Sequence, residues 1–520
     1  MIKILKNFFQ KGFEDIYEVF IKPFMELSFY KKSFVLIVCG LLLYVPYINL
    51  INASHDEQYT MLMNRFSVAE MIRIIASEDG HPPFSYLYAK FWCVLFGGDA
   101  YNILPMRIAT LFTFLMLALL GVFPVRRLLG DKMALVFIAS VFLLPSAYFL
   151  AMNMRMYPLA VFLITGTFVY AMLMVYKPKK FDWLFFGVFS ILSLYTHYYA
   201  AILTVVIWGV VFVDLIRLKK YQTLKKFFLG GVFISLLYTP WLFAFMQQYE
   251  NMKANWFPTM NHLFYSIKGG FMIYESLIEV YYLFAEFFGI LCWLLIFEFL
   301  IDKDKKNIIH MVVKRAVWVF WSIYIISILS SVFFRPNLVA KYLSIPVGLL
   351  YLSVAVAFVH FKKYRTMFLL FLFPVFLVGY SEFYYKANDE KLGEMKKFIE
   401  ENMSEDTLVL YDHTWGHINM MFYGKDVKLY STLYESYLVL YKDEVVKEED
   451  NIKNLNKYKD IYHLSILWWD NEYAKCDISF AEMYNGRFYC FNKIDVKQAE
   501  KLIDKQKYFR ILSLGNVKKD

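Results

Sequence analysis

INASHDEQYT (residues 51–60) and GHPPFSYLYAKFW (residues 80–92) lie in one polar stretch, Ile51–Leu104, with long apolar runs on both sides. The flanking runs are long enough to sit in a bilayer, so the acids and histidines between them are held at its surface. Ionisable groups in that position cost free energy, and a cluster of them is a functional-site hypothesis by default. The loop therefore sets the frame: a helical membrane protein whose chemistry faces one side.

The composition agrees. The 520 residues are 59% hydrophobic and 20% aromatic, with 19% charged, which is too apolar for a soluble enzyme of this length. The formal charge is +10, but the basic residues sit beside apolar runs. They read as topology signals next to an anionic leaflet, not as a nucleic-acid footprint.

Outward from the loop, span one covers about Ser33–Leu50, and span two, about Pro105–Val125, stops at Arg126-Arg127. Spans three to seven are about Met133–Leu150, Tyr157–Tyr176, Trp183–Tyr195, Ala200–Leu215 and Phe228–Phe245. Spans eight to eleven are about Leu277–Ile301, Val317–Phe334, Leu338–His360 and Met367–Tyr384. Most approach the ~20 residues needed to cross hydrocarbon. Residues 1–32 alternate apolar and basic positions at helical spacing, which predicts a cytoplasmic interfacial helix leading into a signal anchor. Basic clusters recur on every second side, so the positive-inside rule places the N-terminus in the cytoplasm. Residues 33–385 then form a bundle of about eleven helices, and the first loop (51–104) and a second polar loop with Lys253, Trp256, Pro258 and His262 fall outside.

From about Lys386 charges become dense and apolar runs shorten. A helical pattern (Leu392, Met395, Phe398, Ile399) precedes strand-like TLVLY, VKLY, HLSIL and RFYCF, which predicts a small α/β domain over 386–520, outside the membrane. Among the five cysteines there is no Cys-x-x-Cys. Cys39, Cys93 and Cys292 read as packing residues, and Cys476 and Cys490 can pair if the domain meets an oxidising compartment.

Five features on the outer side carry chemistry. Asp56-Glu57 is an adjacent acid pair, which in an exposed loop is most often simply solvated. His81-Pro82-Pro83 opens an amphipathic stretch (Phe84, Leu87, Tyr88, Phe91, Trp92, Leu95) that should lie along the membrane surface. A histidine at such a start binds phosphate with backbone N–H groups, or is only a hydrogen-bonded interfacial residue. Arg155 suits bidentate phosphate recognition, or snorkels to headgroups. His197, Tyr198 and Tyr199 follow, of which the tyrosines alone match an aromatic belt. Lys341-Tyr342 adds a cation and a phenol.

In this order, DEQYT (56–60), DGHPPFSYLYAKFWCVLFG (79–97), LPMRIATLF (104–112), MRMYPLA (154–160), LYTHYYA (194–200) and AKYLSIPVGLL (340–350) resemble the C-type glycosyltransferase superfamily, GT-C. The resemblance is to family 39-like enzymes, related to protein O-mannosyltransferases and the lipid A aminoarabinose transferase, and it covers about Ile51–Phe358. It implies an inverting transfer from a polyprenyl-phosphate-linked sugar donor to an acceptor hydroxyl at the outer face of the cytoplasmic membrane. The acceptor is left open as a glycan, lipid or protein of the cell envelope. Carried over by position, Asp56 is the general base and Glu57 its neighbour in the acceptor site. His81, Arg155, His197, Tyr198, Lys341 and Tyr342 line the donor and its phosphate. Relatives often carry an acid just before the Arg-Met-Tyr run, where this chain has Asn153 and Met154, so a divalent cation is left open and no other cofactor is expected. Two rival readings have no catalysis: a lipid-linked sugar flippase or transporter, and an envelope-assembly scaffold. Transporters place ionisable groups near the midplane in repeated halves, whereas here they sit at span ends and the halves do not match.

Overall fold

Backbone polar groups have no water to bond inside a bilayer, so a chain of apolar runs satisfies them internally by becoming helical. The computed structural model describes residues 18, 22–48, 53–98, 102–251, 279–301, 307–333, 339–387, 391–411, 427–431, 452–468, 476–482 and 487–504. Most of the interfacial helix expected over 1–32, and the second-loop residues Lys253, Trp256, Pro258 and His262, lie outside them.

The order is α1 (Phe29–Leu42), α2 (His55–Leu62), α3 (Val68–Glu78), α4 (Phe84–Leu95), α5 (Ile103–Leu120), α6 (Asp131–Leu143), α7 (Ala147–Met152) and α8 (Tyr157–Tyr176). Then come α9 (Asp182–Leu194), α10 (Tyr198–Arg217), α11 (Tyr221–Asn251), α12 (Glu279–Ile301), α13 (Ile308–Phe333), α14 (Ala340–Leu343), α15 (Val347–His360) and α16 (Arg365–Ala387). Among the described residues, 7 helices are long and apolar enough to cross a membrane, with α9 and α15 shorter apolar helices beside them. The protein is a polytopic helical membrane protein.

Two of the expected spans are interrupted, both at proline. The run Met133–Leu150 breaks into α6 and α7 around Pro145, and Leu338–His360 breaks into α14 and α15 at Pro346. Proline lacks the N–H that would continue the ladder and clashes with the preceding turn. The second break sets Lys341 and Tyr342 on a separate turn at one end of the bundle.

α8 is the centre. In its most apolar 18-residue window 83% of residues are buried, against 17% for the window in α11. A helix apolar all round belongs inside. Its neighbours come close because small residues face them: a Cβ on Gly166 would stand 2.2 Å from the Phe189 ring of α9, and one on Gly348 of α15 only 1.9 Å from Thr165 Oγ1. At the end of α8 far from Tyr157, Tyr176 donates to Asp214 Oδ2 at 2.8 Å, and Arg315 pairs with the same carboxylate. Arg127 pairs there with buried Asp182. The Asp214 contacts tie α8, α10 and α13 together, and the Asp182 contact ties α9 to the segment that follows α5.

α4 is the amphipathic stretch expected from the first loop, and α3 is a second helix that precedes it. Ser67 caps α3: its Oγ accepts from Glu70 N at 3.3 Å, and Glu70 Oε2 accepts from Ser67 N at 2.9 Å. Met71 and Ile75, one turn apart, are its buried face. On α4, Tyr86, Ala89 and Cys93 are buried, while Phe91, Val94 and Leu95 stay exposed, as suits a helix lying against lipid.

After α17 (Lys391–Asn402) come strands β1 (Thr407–Tyr411), β2 (Lys428–Ser431), β3 (Asp460–Trp468), β4 (Ile478–Glu482) and β5 (Arg487–Lys493). They form one mixed sheet in the order β2-β1-β3-β5-β4, with β1 parallel to β2 and β3, and β5 antiparallel to β3 and β4. The period-two alternation of β1 splits its side chains: Val409 and Tyr411 meet Met395 and Ile399 of α17, while Leu408 and Leu410 meet Ala499 and Ile503 on the other face. Cys476 and Cys490 form a disulfide across the β4–β5 edge.

Candidate active site at one end of the bundle

The N-termini of α8 and α10, the turn α14, and helices α2 and α4 meet at one end. Ser54 starts α2, and Glu57 reaches back to it, its Oε2 accepting from Ser54 N at 2.8 Å and Ser54 Oγ at 2.9 Å. Glu57 Oε1 accepts from Met154 N at 2.8 Å and Arg107 Nη1 at 3.3 Å. Glu57 is thus buried and bound to four donors; it anchors α2 to α5 and to the loop before α8. Consecutive helical residues point about 100° apart, so Asp56 faces elsewhere. Its side chain is 44% exposed, and its Oδ2 accepts from Lys341 Nζ at 2.7 Å. The two acids therefore divide: Asp56 at the mouth, Glu57 in the frame.

Arg155 fixes the geometry between them. Its Nη1 donates to Thr60 Oγ1 at 2.7 Å, to the Asp56 carbonyl at 3.2 Å and to Tyr86 OH at 3.3 Å. Asn153 Oδ1 accepts from Arg155 N at 2.9 Å, which turns the chain into α8. Asn153 and Met154 thus hold Arg155 and Glu57. Among the described residues no group of three or more His, Cys, Asp or Glu is placed to hold a metal ion.

On the other side, His81 Nδ1 lies 2.9 Å from Asp79 Oδ1, which also accepts from Gly80 N at 2.6 Å. Burial pushes the Asp79 carboxyl up, but its bond to His81 and the Arg155 cation outweigh that and hold it below its ordinary value. The His81 ring stands 5.3 Å from that of His197 and 6.4 Å from that of Tyr342, with His197 and Tyr342 themselves 5.0 Å apart. Tyr157 completes the wall, 5.8 Å from His197.

His197 is 2% exposed. Tyr199 N donates to its Nδ1 at 3.0 Å, so the proton of the neutral ring sits on Nε2. Burial, then the neighbouring His81, Arg155 and Lys341, hold its pKa well below the ordinary histidine value. Among the described residues Nε2 has no partner. An unmet buried N–H costs about 1–3 kcal/mol, which a ligand oxygen would recover.

Asp56, Glu57, His81, Arg155, His197, Lys341 and Tyr342 are therefore brought together. Tyr198 takes another place: its hydroxyl donates to Gln248 and accepts from Trp241 Nε1 at 3.2 Å, in the wall toward α11. Gln248 in turn donates to the carbonyls of Ile75 at 2.6 Å and His81 at 3.4 Å, so Tyr198 steadies the His81 loop from behind. Beside Arg155, a small, partly open cleft runs between α4, α5 and the start of α8, past Thr60, Ser85, Thr110 and Pro158.

Sequence reasoning missed Asp79, Tyr86, Arg107, Tyr157 and Gln248. Arg107 left a signal, since a lone arginine within an apolar run must find a partner. Asp79, beside the His-Pro-Pro run, left one too. Gln248 and the two tyrosines left none.

No protein-family model matches the chain, and no curated protein matches it in sequence. Solved structures do. ArnT from Cupriavidus metallidurans in the apo state superposes with a TM-score of 0.57 at 12% identity, over 89% of this chain and 98% of that one. The same protein bound to undecaprenyl phosphate superposes with a TM-score of 0.54 at 11% identity, over 88% and 97%. A looser likeness, TM-score 0.41 at 11% identity over 84% and 70%, is to the oligosaccharyltransferase AglB from Archaeoglobus fulgidus. At these identities the likeness speaks for architecture, and the architecture is that of ArnT over nearly the whole of both chains: this chain has a GT-C-like fold.

Proposed function

We propose that the protein is an inverting glycosyltransferase that moves a sugar from a polyprenyl-phosphate donor to an acceptor hydroxyl at the outer face of the cytoplasmic membrane. The observation that carries this is the pairing of a half-exposed carboxylate, Asp56, with Lys341 at 2.7 Å, beside Arg155 and His81, at one end of an apolar bundle. A base at the membrane boundary next to a group of cations is what this transfer needs. Asp56 takes the acceptor proton. Arg155, Lys341 and His81 stabilise the charge on the phosphate that leaves. The lipid tail stays in the bilayer while the phosphate reaches the cluster. A solved ArnT structure holds undecaprenyl phosphate, which supports a lipid-phosphate donor here. The Cys476–Cys490 disulfide supports an extracytoplasmic place for the 386–520 domain, and residues 33–385 are the catalytic part.

The test uses purified protein in lipid with a panel of undecaprenyl-phosphate-linked hexoses, pentoses and aminosugars, with cell-envelope extract as acceptor. Release of undecaprenyl phosphate by the wild type, and its loss in Asp56→Asn, is the expected result. No release with any donor, or equal release by Asp56→Asn, overturns the reading.

A further inference from the structure

We propose that Asp79 is the positioning residue of a proton-donor pair, in which it holds the His81 imidazolium so that Nε2 gives its proton to the departing phosphate of the donor. This rests on the glycosyl-transfer reading above. A cation such as Lys341 or Arg155 neutralises charge by standing near it. The Asp79–His81 pair is built for a different task.

The geometry fixes the ring. Asp79 ends α3 and is buried, and its Oδ1 is pinned by Gly80 N at 2.6 Å and faces His81 Nδ1 at 2.9 Å. A carboxylate on Nδ1–H sets the tautomer and leaves Nε2 as the working end. The backbone cannot swing: Gln248 holds the His81 carbonyl, Pro82 follows, and Phe84 N donates to the Tyr195 carbonyl at 2.9 Å. His197, whose Nε2–H is buried and without a partner among the described residues, lies against the same ring and points to an incoming oxygen ligand. Asp79 faces His81 from its own loop, His197 from the turn before α10, and Tyr342 from α14, where the adjacent Lys341 pairs with Asp56. Arg155 acts on Asp79 from the loop before α8.

The chemistry balances. The donor is a phosphodiester. As the acceptor oxygen forms its bond to the anomeric carbon, the bond from that carbon to the phosphate oxygen breaks and its electron pair stays on the oxygen. Asp56 takes the acceptor proton, and His81 Nε2 delivers a proton to the phosphate, which leaves as a monoanion. Water then returns a proton to His81 and takes one from Asp56. A positioned imidazolium N–H is the kind of donor that general acid catalysis uses to hand a proton to a leaving oxygen. Lysine and arginine hold their protons too tightly for that step.

The experiment measures kcat and KM for undecaprenyl phosphate release, from pH 5 to 9, with the panel sugar that the wild type turns over. Wild-type turnover should fall on the alkaline side as the imidazolium is lost. His81→Gln should lose about 100-fold in kcat, within the usual range for a general acid, and lack that alkaline fall. His81→Lys keeps a cation and should also lack it, while remaining well below wild type. Asp79→Asn should lose at least about 10-fold in kcat with little change in KM, and move the alkaline fall; Asp79→Glu should restore it in part. Should Asp79→Asn not fold, the His81 pair and Asp79→Glu still decide. An alkaline fall unchanged in His81→Gln, or an Asp79→Asn profile superimposable on wild type, overturns this inference alone. A wild type without transfer, or an active Asp56→Asn, overturns the transferase reading instead.

Discussion

Arg107 of α5 reaches Glu57 of α2 at 3.3 Å, and both side chains are buried. That contact ties the helix carrying Asp56 to a membrane span. Removing one partner of such a pair leaves the other charge buried and unmatched, which typically costs 3–5 kcal/mol. Arg107→Met is expected to lower the unfolding midpoint in detergent sharply, whereas Glu57→Gln, which keeps the shape and can still accept two bonds, should lower it less. Equal midpoints for wild type and Arg107→Met would show that the pair does not hold α2.

The Asp56–Lys341 pair sits at the mouth, with side chains 44% and 36% exposed. Exposed pairs contribute about 0–1 kcal/mol to stability. Lys341→Met should therefore leave the unfolding midpoint nearly unchanged while lowering transfer more than about 10-fold. A large loss of stability would give Lys341 a structural role instead.

Arg155 makes its contacts through one planar head, to Thr60, to the Asp56 carbonyl and to Tyr86. Lysine cannot reproduce that set. Arg155→Lys should keep the fold, by circular dichroism, yet lower turnover by about 10- to 100-fold, because small displacements of positioned groups are enough to do so. Wild-type turnover in this variant would argue that only the positive charge matters.

Buried His197 gives the stability a pH dependence. Its folded pKa is depressed, so between that value and the unfolded value near 6.5 the unfolded chain binds more protons, and stability rises with pH. Its contribution is thus present above about pH 6.5 and lost as pH falls, by up to about 1.4 kcal/mol per pH unit. The depressed Asp79 acts in the same sense at lower pH. Midpoints of wild type and His197→Gln, measured from pH 7.5 to 5, should converge as the pH falls. Parallel curves would contradict a neutral, buried His197.

The disulfide Cys476–Cys490 closes a loop with a sequence separation of 14. On the loop-entropy argument that contributes about 3 kcal/mol to the domain. Peptide mapping after alkylation in intact cells should recover these two cysteines joined and Cys39, Cys93 and Cys292 as free thiols. Recovery of Cys476 and Cys490 as free thiols would count against an oxidising compartment for the domain.

Much of the architecture is legible in the chain because hydropathy is a local sum. Runs such as Tyr157–Tyr176 declare themselves, and the strand alternation in TLVLY does the same for the C-terminal sheet. The interruptions at Pro145 and Pro346 were written in the sequence as well, although run length masked them. The polar residues at the span ends could also be listed in advance, since an ionisable group beside hydrocarbon always needs a reason.

What no local reading could give is the pairing. Asp56 and Glu57 are neighbours of nearly equal chemistry, and only the packing of α5 against α2 assigns Arg107 to Glu57 and leaves Asp56 to Lys341, 285 positions away. Likewise, Tyr198 and Tyr342 were equal candidates until Gln248 claimed one hydroxyl and the His197 ring met the other residue's ring. Composition alone set which segments are apolar enough to enter a bilayer and which residues carry charge or aromatic rings beside them, because hydropathy is a property of each segment's own residues. The tertiary structure alone decided which carboxylate is anchored, which is open, and which imidazole is held by Asp79, because those outcomes are competitions among partners that meet only in space.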